Sequence, residues 1–82
     1  MDIEFNNAVK NVKEINMDNI SDNDKLLLYG YYKQAIVGNI DIPKPSFWNR
    51  KAVAKWNAWN KCSGISLEDA KKKYIDIVNK LV

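Results

Sequence analysis

One segment of the chain combines three tyrosines and a lysine within five positions. Tyr29, Tyr31, Tyr32 and Lys33 stand together in it. A hydrophobic core does not need three hydroxyl-bearing rings, because leucine fills the same space without a hydroxyl that must be satisfied. Tyrosine suits a place where an apolar ring also meets a polar ligand. One such tyrosine alone would indicate amphipathic filler at the edge of a core, whereas the group predicts a surface that contacts a ligand.

Two further segments supply matching chemistry. Lys55 and Trp56 are adjacent, and Tyr74 lies in the last part of the sequence. A base stacked on an aromatic ring gains roughly 1–3 kcal/mol, and a lysine ammonium donates hydrogen bonds to phosphate oxygens. Together with the tyrosine–lysine group, these residues can bind a nucleotide that carries phosphates. The chain has no glycine-rich phosphate loop, so neither a P-loop nor a dinucleotide-binding fold is predicted.

The composition argues against catalysis and against a metal site. The sequence contains no histidine, which is the usual general base and the commonest metal ligand, and only one cysteine, Cys62. Without a partner base, Cys62 is expected to contribute to packing and not to nucleophilic catalysis. We therefore expect a protein that is not an enzyme and that has no cofactor.

The length and hydropathy of the chain bound its organisation and its compartment. The 82 residues suffice for one domain, residues 1–82. No apolar run approaches the ~20 residues that span a bilayer, and residues 1–5 lack the apolar core of a secretory signal. The single cysteine cannot form an internal disulfide. We expect a cytoplasmic monomer without stable membrane insertion.

Charge is distributed unevenly along the chain. The formal net charge is only +3, but residues 1–24 carry −4 and residues 25–61 carry +6. A basic block of this kind attracts phosphates on nucleic acid, on lipid or on a small ligand. Charge alone leaves a solvated surface equally open.

Apolar periodicity predicts four helices and gives clear bounds for the first two. The first is expected over residues 3–15 with Asp2 as its cap. The second is expected over residues 22–37, begun by a capping box at Ser21 and ended by Gly38, since glycine accepts the left-handed conformation. The apolar face of the second helix is expected to contain Leu28, Tyr32, Ala35 and Ile36.

A loop over residues 39–49 separates the second helix from the third. Pro43 and Pro45 resist helix formation there. Phe47 and Trp48 are apolar and are expected to dock onto the bundle.

The third helix is expected over residues 50–62, with Gly64 ending it. The fourth begins with a capping box at Ser66 and continues to Leu81. Its acid-before-base spacing predicts three ion pairs on a solvated face: Glu68 with Lys72, Asp69 with Lys73, and Asp76 with Lys80. Short links between helices one and two and between three and four, with a longer link in the middle, predict an antiparallel bundle with one crossing connection.

Three segments resemble motifs of one family, the acyl-CoA-binding proteins, also known as diazepam-binding inhibitor. Residues 29–39 read YGYYKQAIVGN and resemble the family's Y-x-x-Y-K-Q-A-T-x-G-D. Residues 54–59 read AKWNAW and resemble A-K-W-x-A-W, and residues 66–75 read SLEDAKKKYI and resemble S-x-E-D-A-x-x-x-Y-I. The resemblance runs in order over essentially the whole chain. It departs at Asn39, where the family usually has aspartate.

The resemblance implies an all-α fold, a four-helix up-down-down-up bundle with a long loop between helices two and three. It also implies a non-catalytic carrier of medium- to long-chain fatty acyl-CoA esters that buffers and transports them for lipid metabolism. By resemblance, Tyr32 would stack on adenine. Tyr29, Lys33 and Lys55 would hold the ribose 3′-phosphate and nearby polar groups, and Tyr74 would close the site from helix four.

The resemblance places the rest of the ligand along the first two helices and the second-to-third interface. Lys13 would assist the phosphates. The acyl chain would enter a groove between helices two and three, with Met17, Ile20, Lys25 and Leu26 near its far end.

Two other functions fit parts of the sequence less well. A nucleic-acid-binding helical domain would need a recognition helix with several exposed basic residues. Helix three offers Arg50, Lys51 and Lys55, but Trp56 and Trp59 interrupt them, so we expect no nucleic-acid partner. A protein-interaction bundle would leave the tyrosine–lysine group unexplained.

Overall fold

Local capping interactions fix where the helices begin. The computed structural model describes residues 2–81. Within that range lie four α-helices and one 3-10 turn: α1 (Asp2–Glu14), the turn Met17–Asn19, α2 (Asp22–Ile36), α3 (Arg50–Asn60) and α4 (Leu67–Leu81). The Ser21 Oγ accepts the backbone N–H of Asp24 at 3.1 Å, and the Ser66 Oγ accepts that of Asp69 at 3.1 Å. Both predicted starts are confirmed.

A glycine with a left-handed backbone follows the end of α2 and another follows the end of α3. Gly38 has φ of 98° and Gly64 has φ of 93°, in the left-handed region that side chains disfavour. The two helices nevertheless end slightly before the predicted residues, at Ile36 and at Asn60. Asp2, predicted as a cap, is instead the first residue of α1, and its carboxylate accepts a hydrogen bond from Lys71 at 2.6 Å.

Contacts between α1 and α4, and between α2 and α3, show that each of these pairs is parallel. Asp2 meets Lys71, and one turn later Phe5 meets Tyr74. Residue numbers therefore rise together along α1 and α4. Along α2 and α3 the same holds, because residue 29 faces residue 55 and residue 33 faces residue 59.

The pair α2 and α4 runs antiparallel. Tyr32 contacts Tyr74, whereas Gln34, further along α2, donates to the carbonyl of Ile65 just before α4. Since α2 lies between α3 and α4, and α1 packs on α4, the order is up-down-down-up. This confirms the all-α fold that the resemblance implied, including the long connection between α2 and α3.

The core lies where α1, α2 and α4 meet. Its buried residues are Phe5, Ala8, Leu28, Ala35, Ala70, Tyr74 and Val78. The prediction that Ile36 shares the buried face was wrong, because Ile36 is the last residue of α2 and its side chain is exposed. Gln34 is buried instead, and its Nε2 donates to Asn39 Oδ1 at 2.9 Å and to the Ile65 carbonyl at 2.8 Å.

The helices α2 and α3 approach most closely at Gly30. A Cβ built on Gly30 would lie 2.5 Å from the backbone oxygen of Ala58 and 3.3 Å from the Sγ of Cys62. Backbone atoms cannot rotate away from such a contact, so glycine at this position sets the separation of the two helices.

Phe47 and Trp48 do not dock onto the bundle, contrary to the prediction. Their side chains are 72% and 81% exposed. The two rings pack against each other at a tilt of 31°, with centroids 4.5 Å apart. The loop is instead held by two other indoles: Trp56 Nε1 donates to the Ile42 carbonyl at 2.9 Å, and Trp59 Nε1 donates to the Gly38 carbonyl at 2.8 Å.

The predicted ion pairs on α4 were also wrong. None of the three acid-before-base pairs comes within 4.0 Å in residues 2–81. Lys71 instead contacts Glu68 at 3.7 Å and Asp2 on α1. Lys71, which none of the predicted pairs included, therefore pairs with one acid of its own helix and with one acid of α1. Between residues 2 and 81, no helix has the length and apolarity needed to cross a lipid bilayer.

Candidate functional site

Lys55 and Tyr29 face each other across the parallel α2–α3 pair. The Lys55 Nζ lies 5.6 Å from the centroid of the Tyr29 ring, within the range of a cation–π contact. Asn49 positions α3 for this contact, since its Oδ1 accepts the backbone N–H of Ala52 at 3.2 Å and begins the helix. Lys55 is exposed and Tyr29 is half-buried, so both can meet a ligand from solvent.

A cavity of about 230 Å³ lies under the α2–α3 loop, and we call it the loop cavity. Its lining residues are Tyr29, Ile42, Pro43, Pro45, Ala52, Lys55, Trp56 and Trp59. The indole hydrogen bonds of Trp56 and Trp59 to loop carbonyls hold this wall in place. Aromatic rings with one ammonium beside them suit a planar group that carries negative charge.

A second cavity, of about 370 Å³, lies on the other side of Lys55, and we call it the basic cavity. It is lined by Asp22, Lys25, Leu26, Arg50, Lys51, Ala54 and Lys55. The cavity walls therefore carry four cations and one acid. The side-chain stems of lysine and arginine are apolar while their heads are charged, so this space can accept an apolar chain with an anionic end.

The sequence predictions of site residues did not include Arg50, Lys51 or Ala54. All three line the basic cavity together with Lys55, because Arg50 with Ala54 and Lys51 with Lys55 form two neighbouring rows at i, i+4 spacing on α3. The sequence shows that spacing, but it does not show that this face of α3 lines a cavity shared with α2.

A third cavity, of about 410 Å³, continues the groove between α2 and α3, and we call it the interhelix cavity. Its lining residues are Asn23, Leu26, Leu27, Tyr31, Ala54, Asn57, Ala58, Lys61 and Cys62. Leu26 and Ala54 belong to both this cavity and the basic cavity. The two spaces thus adjoin along the α2–α3 seam.

Lys33 lies next to the loop cavity through a shared ring. Its Nζ is 4.9 Å from the centroid of Trp59, and Trp59 also lines the loop cavity. Lys33 therefore contacts a ring of the cavity that Lys55 also lines. Each of these ammonium groups can donate hydrogen bonds to phosphate oxygens.

Tyr32 and Tyr74 lie together in an aromatic cluster with Phe5. The ring centroids are 6.1 Å apart for Tyr32 and Tyr74, 5.2 Å for Phe5 and Tyr74, and 6.2 Å for Phe5 and Tyr32. Tyr74 is buried, whereas Tyr32 is half-buried. Burial raises the pKa of the Tyr74 phenol, and Tyr32 adds to the rise. Phe5, which the site prediction omitted, packs against both tyrosine rings.

Six predicted site residues line none of the three cavities: Tyr32, Lys33 and Tyr74, described above, and Lys13, Met17 and Ile20. Lys13 is exposed near the end of α1, and Met17 is exposed on the 3-10 turn. Ile20 lies between that turn and α2 in the sequence, and its side chain is buried. None of them lines the three cavities above, whereas Lys25 and Leu26 both line the basic cavity.

The groups around the cavities favour binding over bond breaking. Cys62 lines the interhelix cavity, but its side chain is buried and its Sγ donates to the Ala58 carbonyl at 3.4 Å. Burial raises the pKa of the Cys62 thiol, which disfavours the nucleophilic thiolate. Ammonium groups, aromatic rings and apolar walls therefore dominate the chemistry of the site.

Sequence comparison identifies relatives of the chain. A sequence model of the family described as Acyl CoA binding protein matches residues 2–78. The chain is 44% identical over 79 residues to the Acyl-CoA-binding protein homolog of Drosophila melanogaster, covering 96% of this chain and 91% of that protein. It is 48% identical over 65 residues to Acyl-CoA-binding domain-containing protein 2 of Oryza sativa subsp. japonica, covering 79% of this chain and 71% of that protein.

Solved structures agree with the sequence comparison. The crystal structure of Oryza sativa Acyl-CoA-Binding Protein 2 superposes with a TM-score of 0.92 at 42% identity, covering 98% of this chain and 88% of that one. The crystal structure of ACBP from Moniliophthora perniciosa superposes with a TM-score of 0.93 at 32% identity, covering 99% of this chain and 79% of that one. The chain belongs to the acyl-CoA-binding protein family.

Proposed function

We propose that this protein is a non-catalytic, cytoplasmic carrier of medium- to long-chain fatty acyl-CoA esters, which it buffers and transports for lipid metabolism. The observation that carries the proposal is the position of Lys55, which lines both the loop cavity and the basic cavity. One side of Lys55 offers aromatic rings, and the other offers an apolar channel with basic walls. An acyl-CoA ester has the same division into a phosphorylated nucleotide and an apolar tail.

The nucleotide half of the ligand is proposed to bind at the loop cavity and its rim. Tyr29 and Lys55 share this cavity, and Lys33 reaches it across Trp59. Lysine ammoniums at these places would donate to the 3′-phosphate and the diphosphate, with each charge-assisted bond contributing about 1.5–3 kcal/mol. The half-buried ring of Tyr32 would stack on adenine.

Two other residues are proposed to complete the nucleotide site. Tyr74 lies against Tyr32 and would hold that ring in orientation from α4. Lys13 is exposed on α1, and its ammonium would add positive potential near the phosphates rather than a fixed contact.

The acyl half is proposed to enter the basic cavity and continue along the α2–α3 seam. Lys25 and Leu26 line the basic cavity, and Leu26 with Ala54 leads into the interhelix cavity. Each buried methylene contributes about 0.8 kcal/mol, so a tail of ~14–16 carbons would contribute around 10 kcal/mol before ordering costs. Met17 and Ile20 remain proposed neighbours of the far end of the tail.

The proposal includes no chemical step and no cofactor. The thiol of Cys62 lies beside the interhelix cavity, and its raised pKa keeps it protonated. Nothing in the sequence supplies a histidine to activate it. A single chain carries every residue named for the site, so we propose that the carrier acts as a monomer.

Calorimetry with matched ligands tests the proposal. Palmitoyl-CoA should bind far more tightly than free coenzyme A or palmitate, since only palmitoyl-CoA fills both halves of the site. Equal affinity for palmitate would contradict the nucleotide half, and equal affinity for free coenzyme A would contradict the acyl half. Tighter binding to random duplex DNA, with a steep dependence on salt, would favour a nucleic-acid function instead.

A thiol-release assay tests the absence of turnover. Palmitoyl-CoA incubated with the protein and a thiol reagent should release coenzyme A no faster than without protein. Release that depends on Cys62 would show an enzyme and would overturn the carrier assignment.

A further inference from the structure

The two most projecting loop side chains form a single apolar tip. The rings of Phe47 and Trp48 pack against each other at a tilt of 31°, with centroids 4.5 Å apart, and solvent reaches most of both rings. Single exposed apolar side chains are common on protein surfaces, but large ones exposed next to each other mark a site that binds a protein or a membrane. Neither ring lines the three cavities of the ligand site.

Hydrogen bonds hold the backbone of this tip in place. The Trp48 N–H donates to Ser46 Oγ at 3.4 Å, and the Asn49 N–H donates to the Ser46 carbonyl at 3.0 Å. Asn49 in turn begins α3 by accepting from Ala52. The tip is therefore a turn fixed to the start of a helix, and the outward direction of its rings is a property of the fold.

Positive charge surrounds the tip. Residues 44–61 contain five basic residues and no acidic one. Arg50 and Lys51 follow the tip within one helical turn and are exposed. The start of α3 adds the positive end of its helix dipole at the same place. This surface is complementary to a negatively charged one.

We propose that the Phe47–Trp48 tip is a docking site for the surface of an anionic phospholipid bilayer. Tryptophan and phenylalanine flanked by lysine and arginine are the residues that partition into the interface between lipid headgroups and acyl chains. A projecting pair of rings suits a deformable bilayer better than a protein partner, because a protein hot spot would need a preformed pocket for each ring. Binding through one tip and a few basic residues is peripheral and reversible, and it needs no membrane-spanning segment.

Docking in this way would bring the ligand site close to lipid. Arg50 and Lys51 line the basic cavity and also flank the tip, so the cavity that is proposed to hold the acyl tail would open beside the bilayer. This consequence rests on the proposed carrier function. The docking itself does not, because it depends only on the exposed rings and the basic residues.

Vesicle co-sedimentation tests the docking. The wild-type protein should bind vesicles of phosphatidylcholine with phosphatidylserine and should bind pure phosphatidylcholine vesicles much less, because each cation near an anionic surface strengthens binding by about fivefold. Raising the salt concentration to about 1 M should release it, since the Debye length falls to roughly 3 Å.

Variants of the tip decide whether these rings make the contact. Phe47→Ser with Trp48→Ser should weaken binding to the anionic vesicles by about tenfold or more, since partial burial of each ring is lost. Ile3→Ser is the matched control, because Ile3 is 77% exposed but lies in the acidic first third of the chain, and it should bind as the wild type does. Failure of the wild type to bind anionic vesicles, or equal binding by the double variant, would overturn the proposal and would leave a protein partner as the occupant of the tip.

Calorimetry with palmitoyl-CoA separates this proposal from the carrier function. The double variant should retain wild-type affinity for palmitoyl-CoA in the absence of vesicles. Loss of vesicle binding with retained palmitoyl-CoA affinity supports the docking site. Loss of both would show that the rings act through the ligand site and would overturn it.

Discussion

The backbone oxygen of Ala58 lies 2.5 Å from where a Cβ on Gly30 would stand, so α2 and α3 touch through main-chain atoms at this point. The same two helices wall the basic cavity and the interhelix cavity. The spacing that Gly30 permits therefore sets the width of the groove proposed for the acyl chain.

Gly30→Ala is expected to lower the free energy of unfolding by roughly 1–2 kcal/mol. Overpacking typically costs 1–3 kcal/mol, and the contact with the Ala58 backbone oxygen, which cannot rotate away, places this site toward the upper end. The gain of about 1 kcal/mol in helix propensity therefore offsets only part of the cost. Urea unfolding followed by circular dichroism measures the change. Asn7→Ala, on the exposed side of α1, reports propensity alone and should not destabilise the protein. A Gly30→Ala protein as stable as the wild type would show that the helices can separate freely.

Lys55→Met should weaken palmitoyl-CoA binding by about 1.5 kcal/mol, the lower end of the range for a hydrogen bond to a charged group, because Lys55 is exposed. Methionine keeps most of the apolar stem, so the fold should be preserved. Calorimetry with palmitoyl-CoA and with its dephospho analogue, which lacks the 3′-phosphate, isolates the contact. The loss should be much smaller with the analogue.

Lys72→Met is the matched control for Lys55, because Lys72 is an exposed lysine on α4. It should leave the affinity nearly unchanged. An equal loss of affinity in both variants would indicate that the lysines act through the long-range electrostatic field of the protein and not through a contact. An equal loss with both ligands would mean that Lys55 does not contact the 3′-phosphate.

Asn39→Ala should destabilise the protein by about 1–2 kcal/mol, because one oxygen is lost that satisfies two donors. The Asn39 Oδ1 accepts from Gln34 Nε2 at 2.9 Å and from the Gly64 N–H at 2.8 Å, joining the end of α2 to the α3–α4 turn. Asn39→Asp keeps an acceptor for both donors and should retain wild-type stability. Thermal unfolding of the three proteins compares them, and equal midpoints for alanine and aspartate would contradict the role of this oxygen.

Tyr74 should make stability depend on pH in the alkaline range. Burial raises the pKa of its phenol above the ordinary value of 10.0, so the folded protein favours the neutral form. The stability that Tyr74 contributes is fully present below the unfolded pKa and is lost as pH rises through the folded pKa. The difference in free energy of unfolding between wild type and Tyr74→Phe should therefore shift against the wild type above about pH 10. A difference that stays constant across this range would contradict the shift.

Features decided by neighbouring residues were predictable from the sequence. The caps at Ser21 and Ser66 and the left-handed glycines at positions 38 and 64 depend only on a few adjacent residues. The family resemblance supplied what periodicity could not, namely the up-down-down-up order. It also supplied the site residues, which stay predictions until ligand binding is measured.

Features decided by distant partners were missed. Helical spacing predicted ion pairs only within α4, whereas Lys71 of that helix contacts Asp2 on α1. Phe47 and Trp48 were expected to dock because they are apolar, but both rings are exposed, and the indoles that hold the loop are those of Trp56 and Trp59. Which of several aromatic residues finds a partner depends on the three-dimensional path of the loop, and no local pattern encodes it.

The pairing of α1 with α4 has a consequence for the order in which the chain is assembled during synthesis. Phe5 emerges from the ribosome early, but Tyr74, the nearer of the two rings it packs on, belongs to the last helix, and α4 is the helix against which α1 packs. Domains usually fold as units as synthesis proceeds, yet here α1 must wait, as an isolated helix of marginal stability, until nearly all of the chain has been made. The helices α2 and α3 can pack on each other first, because they are neighbours in the sequence. Docking of α1 is therefore expected to be the closing event of folding, and truncation of α4 would leave the apolar face of α1 exposed on the nascent chain.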